Sequence, residues 1–461
     1  MDANGIDAKK IKKAAITMAA LDTDAKNAAL ENIARRLVDN SRRIDEANRR
    51  DVERATAAAL PAPLIKRLRM DLGKVDSVAA GIRSLISLED PVGRLLLATE
   101  LSYGLVLRKI SCPIGVIGVI FESRPDALVQ IACLCLKSGN AAILKGGSEA
   151  METNRLLTEL IIEATAGALP DAWINQLETR AEIREILKMD SDIDLLIPRG
   201  SNEFVRYIMD NTRIPVLGHA DGICHCYVDA GADIGMAVRV VTDSKTQYAA
   251  VCNATETLLV HKGIAPAFLP ALWEHMNGGG DGSGGGSGCS GSGGSGSGGS
   301  GGSGGGTADK PYVQFRGCPE TVRILKDRPV AAATCDDWGA EYLDYTLAVK
   351  VVGSTQEAID HINAYGSKHS DAIITYDADA ARAFASYVDS ANIFHNCSTR
   401  FSDGFRYGFG AEVGVSTSKI HARGPVGLDG LSTYKFVLSG SGDTVADFEQ
   451  GKRAFTHKKL Q

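Results

Sequence analysis

The chain has 461 residues, of which 44% are hydrophobic and 23% charged, with 50 Lys and Arg against 56 Asp and Glu and a net charge of −6. That length and balance bound a folded protein of two or three domains with sizeable cores and exclude a mainly disordered chain. The acidic excess argues against a nucleic-acid binder, whose footprint is basic, and the sequence offers no run of about 18 apolar residues to span a bilayer.

Residues 1–13 lack the apolar centre of a secretory signal, so the expected compartment is the cytoplasm, where ten cysteines without framework spacing read as reduced thiols. Residues 6–88 set apolar side chains at helical spacing within charged sequence and predict two or three surface helices. Residues 101–110 alternate as a strand outside the central sheet. Next, residues 114–121 (IGVIGVIF) predict a strand buried on both faces, 126–137 a helix that stops at Ser138-Gly139-Asn140, and 141–145 (AAILK) the following strand. A helix is expected over 149–166. Strands over 174–177, 193–197 and 214–217 then alternate with helices over 180–189 and 202–211. Strict alternation of this kind predicts an α/β fold with a parallel sheet between helical layers and ligands at the carboxyl ends of the strands. Residues 277–306 are nearly all Gly and Ser, broken by Asp281 and Cys289, and read as a flexible insertion within one α/β unit. Residues 431–438 predict another strand away from the central sheet, and exposed edges of this sort tend to be covered by a partner.

Four places carry chemistry. Lys145, Gly146, Gly147 and Ser148 follow a strand and open a helix, where amides and an ammonium suit a phosphate or ribose; a plain strand-to-helix turn would look the same. Pro198, Arg199, Gly200 and Ser201 repeat that arrangement with a guanidinium, or simply cap the next helix. Cys252 stands at the mouth of the β-prone run 247–261. With a reference pKa of about 8.5 a cysteine is the side chain best suited to form an acyl intermediate, although free cysteines more often just pack. Residues 396–427 gather glycines, hydroxyls and cations, among them Ser398, Thr399, Arg400 and Arg423, a composition suited to an anionic substrate. Cys133, Cys135, Cys224, His225 and Cys226 have no second pair at zinc spacing, so no metal is expected.

Six segments in order, 114–126 (IGVIGVIFESRPD), 137–147 (KSGNAAILKGG), 197–201 (IPRGS), 252–259 (CNATETLL), 398–404 (STRFSDG) and 410–427 (GAEVGVSTSKIHARGPVG), resemble the gamma-glutamyl phosphate reductase family of proline biosynthesis, within the aldehyde dehydrogenase superfamily. The resemblance runs over about residues 6–460 apart from the Gly/Ser insertion. Residues 215–229 are similar to the eukaryotic wording of the family. No glutamate kinase domain precedes them, so the resemblance implies a stand-alone reductase supplied by a glutamate kinase. It further implies a Rossmann-type NADPH-binding domain (1–98 and 111–247), an α/β catalytic domain (248–400), a β oligomerisation arm (99–110 and 425–440) joining a homodimer or higher homo-oligomer, a substrate and cofactor loop (401–424) and a C-terminal tail (441–461).

By the same resemblance, Cys252 attacks L-glutamyl 5-phosphate and NADPH is the cofactor, with Lys145 at the adenosine ribose or its phosphate and Glu341 at the nicotinamide ribose. Ser123 stands where aldehyde-oxidising relatives carry an oxyanion-hole asparagine, and residues 217–222 hold no general-base glutamate in register. Lacking a water-activating carboxylate favours transfer to phosphate over hydrolysis. The Cys252 amide with Ser123 or Asn253 would serve the oxyanion, and Arg124, Arg400 or Arg423 the phosphate or the α-carboxylate, with no assignment among them. Cys397 departs from the family's usual alanine and is expected to pack. A hydrolytic aldehyde dehydrogenase and a non-catalytic nucleotide-binding scaffold are the competing readings.

Overall fold

The computed structural model describes residues 7–122, 124–218, 221–278 and 311–460. The first 90 residues form five helices, Ala8–Met18, Thr23–Asp39, Ser41–Ala57, Ala62–Leu68 and Leu72–Ser87. Asp7, Asp22 and Asp71 cap three of them by accepting the amides of Lys10, Ala25 and Lys74. The expected two or three helices are five, and each lies at the surface with one stripe buried. Met18, Leu30, Ile33, Leu37, Ile44 and Val75 are fully buried in the largest core, together with one face of helix Pro125–Lys137. An apolar stripe at helical spacing marks a face that must be covered, and here the covering is intramolecular.

Strands β1 (Leu95–Ser102) and β2 (Leu105–Pro113) form a hairpin, after which β3 (Val116–Phe121), β4 (Ala141–Lys145), β5 (Ile174–Leu177) and β6 (Leu195–Arg199) build a four-stranded parallel sheet in the order β5-β4-β3-β6. Helices Pro125–Lys137 and Met151–Thr165 lie on one face and Arg180–Ile186 and Asn202–Asp210 on the other. The expected strand over 214–217 reduces to a single bridge, Val216 to Leu196. Strand order reverses between β3 and β6, so the crevice at their carboxyl ends is where such sheets bind ligands.

The second sheet comprises β7 (Cys224–Val228), β8 (Thr255–His261), β9 (Gln314–Gly317), β10 (Val330–Ala332), β11 (Thr346–Val352), β12 (Ser370–Ile374) and β13 (Asn392–His395). All seven are parallel, in the order β10-β9-β11-β8-β7-β12-β13. Because β7 and helix Ile234–Thr246 join this sheet, the expected domain border at residue 247 falls inside it and the second layer begins at β7. Alternation reveals that strands and helices follow one another, not which sheet each strand enters. Residues 279–306 of the Gly/Ser insertion lie outside the described residues. Its flanks are pinned together: Asn277 Nδ2 donates to the Val313 carbonyl at 3.0 Å, and the Val313 amide donates to Asn277 Oδ1 at 2.8 Å.

Short strands β14 (Gly414–Ser416) and β15 (Gly424–Val426) pair within the loop region. Strands β16 (Ser432–Ser439) and β17 (Lys458–Lys459) complete an antiparallel arm in the order β16-β2-β1-β17. The arm is therefore wider than residues 99–110 and 425–440, and the expected tail contributes a strand to it. One side of β16 shows Tyr434, Phe436 and Leu438 at 49–59% exposure. Among the described residues no helix is long and apolar enough to cross a membrane.

Candidate active site

The carboxyl ends of β3 and β4, with residues of helices Arg180–Ile186 and Asn202–Asp210, line a cleft of about 580 Å³ that includes Phe121, Glu122, Lys145, Gly147, Ser148 and Phe204. Its size suits part of a nucleotide. Lys145 is buried and its Nζ donates to the Gly146 carbonyl at 2.7 Å. The glycines are required by close approach: a Cβ on Gly146 would stand 2.1 Å from Asn154 Nδ2, and one on Gly147 2.0 Å from Glu149 Oε1. The buried side-chain Oδ1 of Asn154 has no hydrogen-bond partner among the described residues. Backbone open at this turn, an ammonium beneath it and a free acceptor fit a dinucleotide. Burial and the neighbouring Glu149 hold the Glu122 carboxyl above its ordinary range, against the Ser201 amide and Lys145. Pro198, Gly200 and Ser201 stand across from that turn, at the end of β6. A Cβ on Gly200 would lie 2.9 Å from the Glu122 carboxyl carbon.

Glu341 reaches the same region through Asn202, whose Nδ2 donates to Glu341 at 2.7 Å and to Asp221 at 2.8 Å. Asp221 is also paired with Arg206. The carboxylate within residues 217–222 is thereby engaged by Asn202 and Arg206. Beyond Glu341, Leu343 adopts a left-handed φ of 56° and donates its amide to Glu256 at 3.2 Å. Glu256 in turn meets Lys245 at 2.5 Å, both fully buried, so this one carboxyl joins the Glu341 segment and helix Ile234–Thr246 to the strand that follows Cys252.

Cys252 is partly buried, at the amino-terminal end of β8. Its loop is held by residues far away in sequence. Thr399 Oγ1 donates to the Asn253 carbonyl at 2.7 Å, and Asn253 Nδ2 donates to the Ser402 carbonyl at 2.8 Å. Cys224, whose thiol burial keeps protonated, lies with its sulfur 3.1 Å from the Cys252 carbonyl. Gly222 lies against the nucleophile so closely that a Cβ there would sit 2.4 Å from Cys252 Cα.

The same loop contacts involve three expected site residues. Asn253 is buried and gives one of its two side-chain N–H groups to the Ser402 carbonyl, which makes it an anchor of the loop. Ser398 and Thr399 are likewise buried with their hydroxyls engaged, Ser398 by Ser244 at 3.1 Å, and they position the loop where direct substrate contact was expected. Ser123, the other expected oxyanion donor, lies outside the described residues.

Arg400 is 9% exposed and its Nε donates to Gln247 at 2.9 Å. Its guanidinium and that of Arg199 both interact with the Cys252 charge, and Arg124 acts on Arg199 in turn. Arg199 ends β6 beside Pro198, Gly200 and Ser201, as the sequence places it. Arg423 does not join them: with Lys419 and Lys368 it surrounds Asp389, whose pKa their hydrogen bonds and charges hold down at about 2. Sequence reasoning missed Gly222, Gln247 and Glu412. Glu412 was visible as the one acid in GAEVGVSTSK; nothing local marked the other two. Cys397 packs against the core of the second sheet, as expected. Among the described residues no group of three or more His, Cys, Asp or Glu is placed to hold a metal.

The comparisons with known proteins agree with this architecture. The model of the aldehyde dehydrogenase family matches residues 8–279. A gamma-glutamyl phosphate reductase of Acetivibrio thermocellus is 58% identical over 98% of this chain and 97% of its own length. The chain belongs to the gamma-glutamyl phosphate reductases of the aldehyde dehydrogenase family. It is accordingly an oxidoreductase. A Pelotomaculum thermopropionicum relative of the same description is 57% identical over 100% of this chain and 98% of its own. The crystal structure of the Thermotoga maritima reductase superposes with a TM-score of 0.85 at 38% identity, covering 95% of this chain and 98% of that one.

Proposed function

We propose that the chain reduces L-glutamyl 5-phosphate to L-glutamate 5-semialdehyde with release of phosphate, with NADPH as cofactor. The observation that supports this reading is the loop of Cys252 held by the segment that carries Arg400, through Thr399 and Ser402 on Asn253 and Arg400 on Gln247. A guanidinium next to that loop suits a phosphorylated acyl group. The thiolate attacks the acyl carbon, phosphate departs with its oxygen, and the product is a thioester on Cys252. Glu122, Lys145, Gly147 and Ser148 of the cleft at β3 and β4 would hold the nicotinamide cofactor, which would supply hydride to the thioester. Collapse of the resulting thiohemiacetal returns the thiolate and frees the semialdehyde. The Cys252 amide is the donor we assign to the oxyanion; such a donor is worth about a hundredfold in rate.

Lys145 is read as the contact to the adenosine ribose or its phosphate, and Glu341 as that to the nicotinamide ribose. We read the enzyme as a cytoplasmic reductase fed by a glutamate kinase. The open edge and apolar face of β16 support assembly of two or more copies through the arm.

A second reading, hydrolytic oxidation of the semialdehyde, draws on Glu412, a carboxyl whose charge acts on Cys252. Reduction of NADP⁺ by glutamate 5-semialdehyde with and without phosphate separates the two. Strict phosphate dependence is the expected result. Equal rates without phosphate would establish hydrolysis, and no turnover in either buffer would leave only nucleotide binding.

A further inference from the structure

The loop between residues 401 and 427 delivers one acid to the cysteine site. The Gly404 amide donates to Glu412 Oε2 at 2.9 Å. A Cβ on Gly404 would stand 2.7 Å from the Gly410 carbonyl oxygen and 3.2 Å from that same Oε2, so the backbone closes directly on this carboxyl. Strand β14 carries on from Glu412 toward Arg199: a Cβ on Gly414 would lie 4.0 Å from Arg199 Nε. The groups facing Glu412 are Arg199 from the end of β6, Cys252 from the loop before β8, and Asp403 and Tyr407 from its own loop. Arg400 shares Cys252 and Asp403 with it. Burial pushes the Glu412 carboxyl up to about 7 despite the Arg199 charge, with Asp403 and Cys252 adding to the rise. Both its protonated and ionised forms are thus available at neutral pH, as proton transfer in either direction requires.

We infer that Glu412 gives the departing phosphate its proton, and takes that proton back when phosphate attacks the thioester in the reverse direction. The inference rests on the reductase reading above. In the forward step the Cys252 thiolate forms the C–S bond. The acyl C–O bond breaks with its electron pair on the phosphate oxygen, and that oxygen receives the Glu412 proton. Hydrogen phosphate dianion and a Glu412 carboxylate result, the carboxylate being reprotonated from solvent. In reverse, hydrogen phosphate loses its proton to the carboxylate as its oxygen attacks the thioester carbon, and the thiolate leaves. A carboxylic acid beside the phosphate adds a hydrogen bond where a carboxylate would add repulsion, and Arg199 supplies the countercharge.

Glu412→Gln keeps an acceptor for the Gly404 amide, and with it the loop, while removing the proton. With glutamate 5-semialdehyde and NADP⁺, the burst of NADPH in the first turnover reports acylation of Cys252, and the steady rate in phosphate reports phosphorolysis. The expected result is an intact burst with phosphate-dependent turnover lowered about a hundredfold or more. The pH profile of that turnover should lose its ionisation near 7, and Glu412→Asp should restore part of both. Wild-type turnover and profile in Glu412→Gln would overturn the inference, as would loss of the burst along with turnover, which would make the residue a loop prop. Phosphate-independent turnover in the wild type would instead overturn the reductase reading itself.

Discussion

The two parallel sheets meet at the crevice by opposite ends. The four-stranded sheet offers the carboxyl ends of β3, β4 and β6, and its functional turns are built from consecutive residues, Lys145 to Ser148 and Pro198 to Ser201. The seven-stranded sheet offers amino-terminal ends, and there Cys252 is placed by partners 146–153 residues away: Thr399 on the Asn253 carbonyl, Ser402 on the Asn253 amide, Arg400 on Gln247. One face is local, the other assembled. A local turn needs only glycine and a strand before it. A nucleophile on a loop needs its backbone polar groups satisfied by whatever the fold brings alongside, since an unpaired buried carbonyl is costly.

The contrast is broken most severely at Gly222. Gly222→Ala puts a methyl 2.4 Å from Cys252 Cα and displaces the nucleophile, and a misplacement of about 1 Å costs roughly a hundredfold in rate. Turnover and the rate of Cys252 alkylation should both fall while cofactor affinity stays at the wild-type value; unchanged turnover would mean the contact is slack. On the local face, Gly146→Ala forces Asn154 to move. Overpacking of about 1–3 kcal/mol should weaken NADPH binding by about tenfold or more in a fluorescence titration, with alkylation of Cys252 unaffected. Coupled loss of both readouts would erase the distinction between the faces.

Thr399→Val leaves the Asn253 carbonyl without its donor. A loss of about 1–3 kcal/mol in a urea unfolding curve is expected, with a larger fractional loss of turnover than Gly146→Ala shows at saturating cofactor. Deleting residues 281–306 should change least. The Asn277–Val313 clamp already joins the flanks, so shortening the connection alters stability by about 1 kcal/mol or less and leaves the Michaelis constants where they were. A large loss of activity on deletion would assign the insertion a part in the site.

Much of the first sheet was legible because its signals are short-range. The strands over 141–145 and 174–177 and the helix at Pro125–Lys137 follow from apolar runs bounded by glycine, proline and a capping turn. The N-terminal helices were visible as helices but their burial was not, because an amphipathic stripe states that it needs a cover without naming one. The strand expected over 214–217 failed for a related reason: β-branched residues there make one bridge before the chain leaves the sheet at Gly218.

By itself the sequence determined the α/β class, the positions of Cys252 and of the two glycine turns, and, through six ordered motifs, the family. Tertiary structure alone decided that Arg423 pairs with Asp389, that Ser398, Thr399 and Asn253 tie the loop of Cys252 to the chain around residue 400, and that Glu412 accepts the Gly404 amide. Charge and hydroxyl content can be read along a chain. Which of those groups find a partner within 3 Å, and which are left to face the substrate, depends on contacts between segments that sequence distance does not encode.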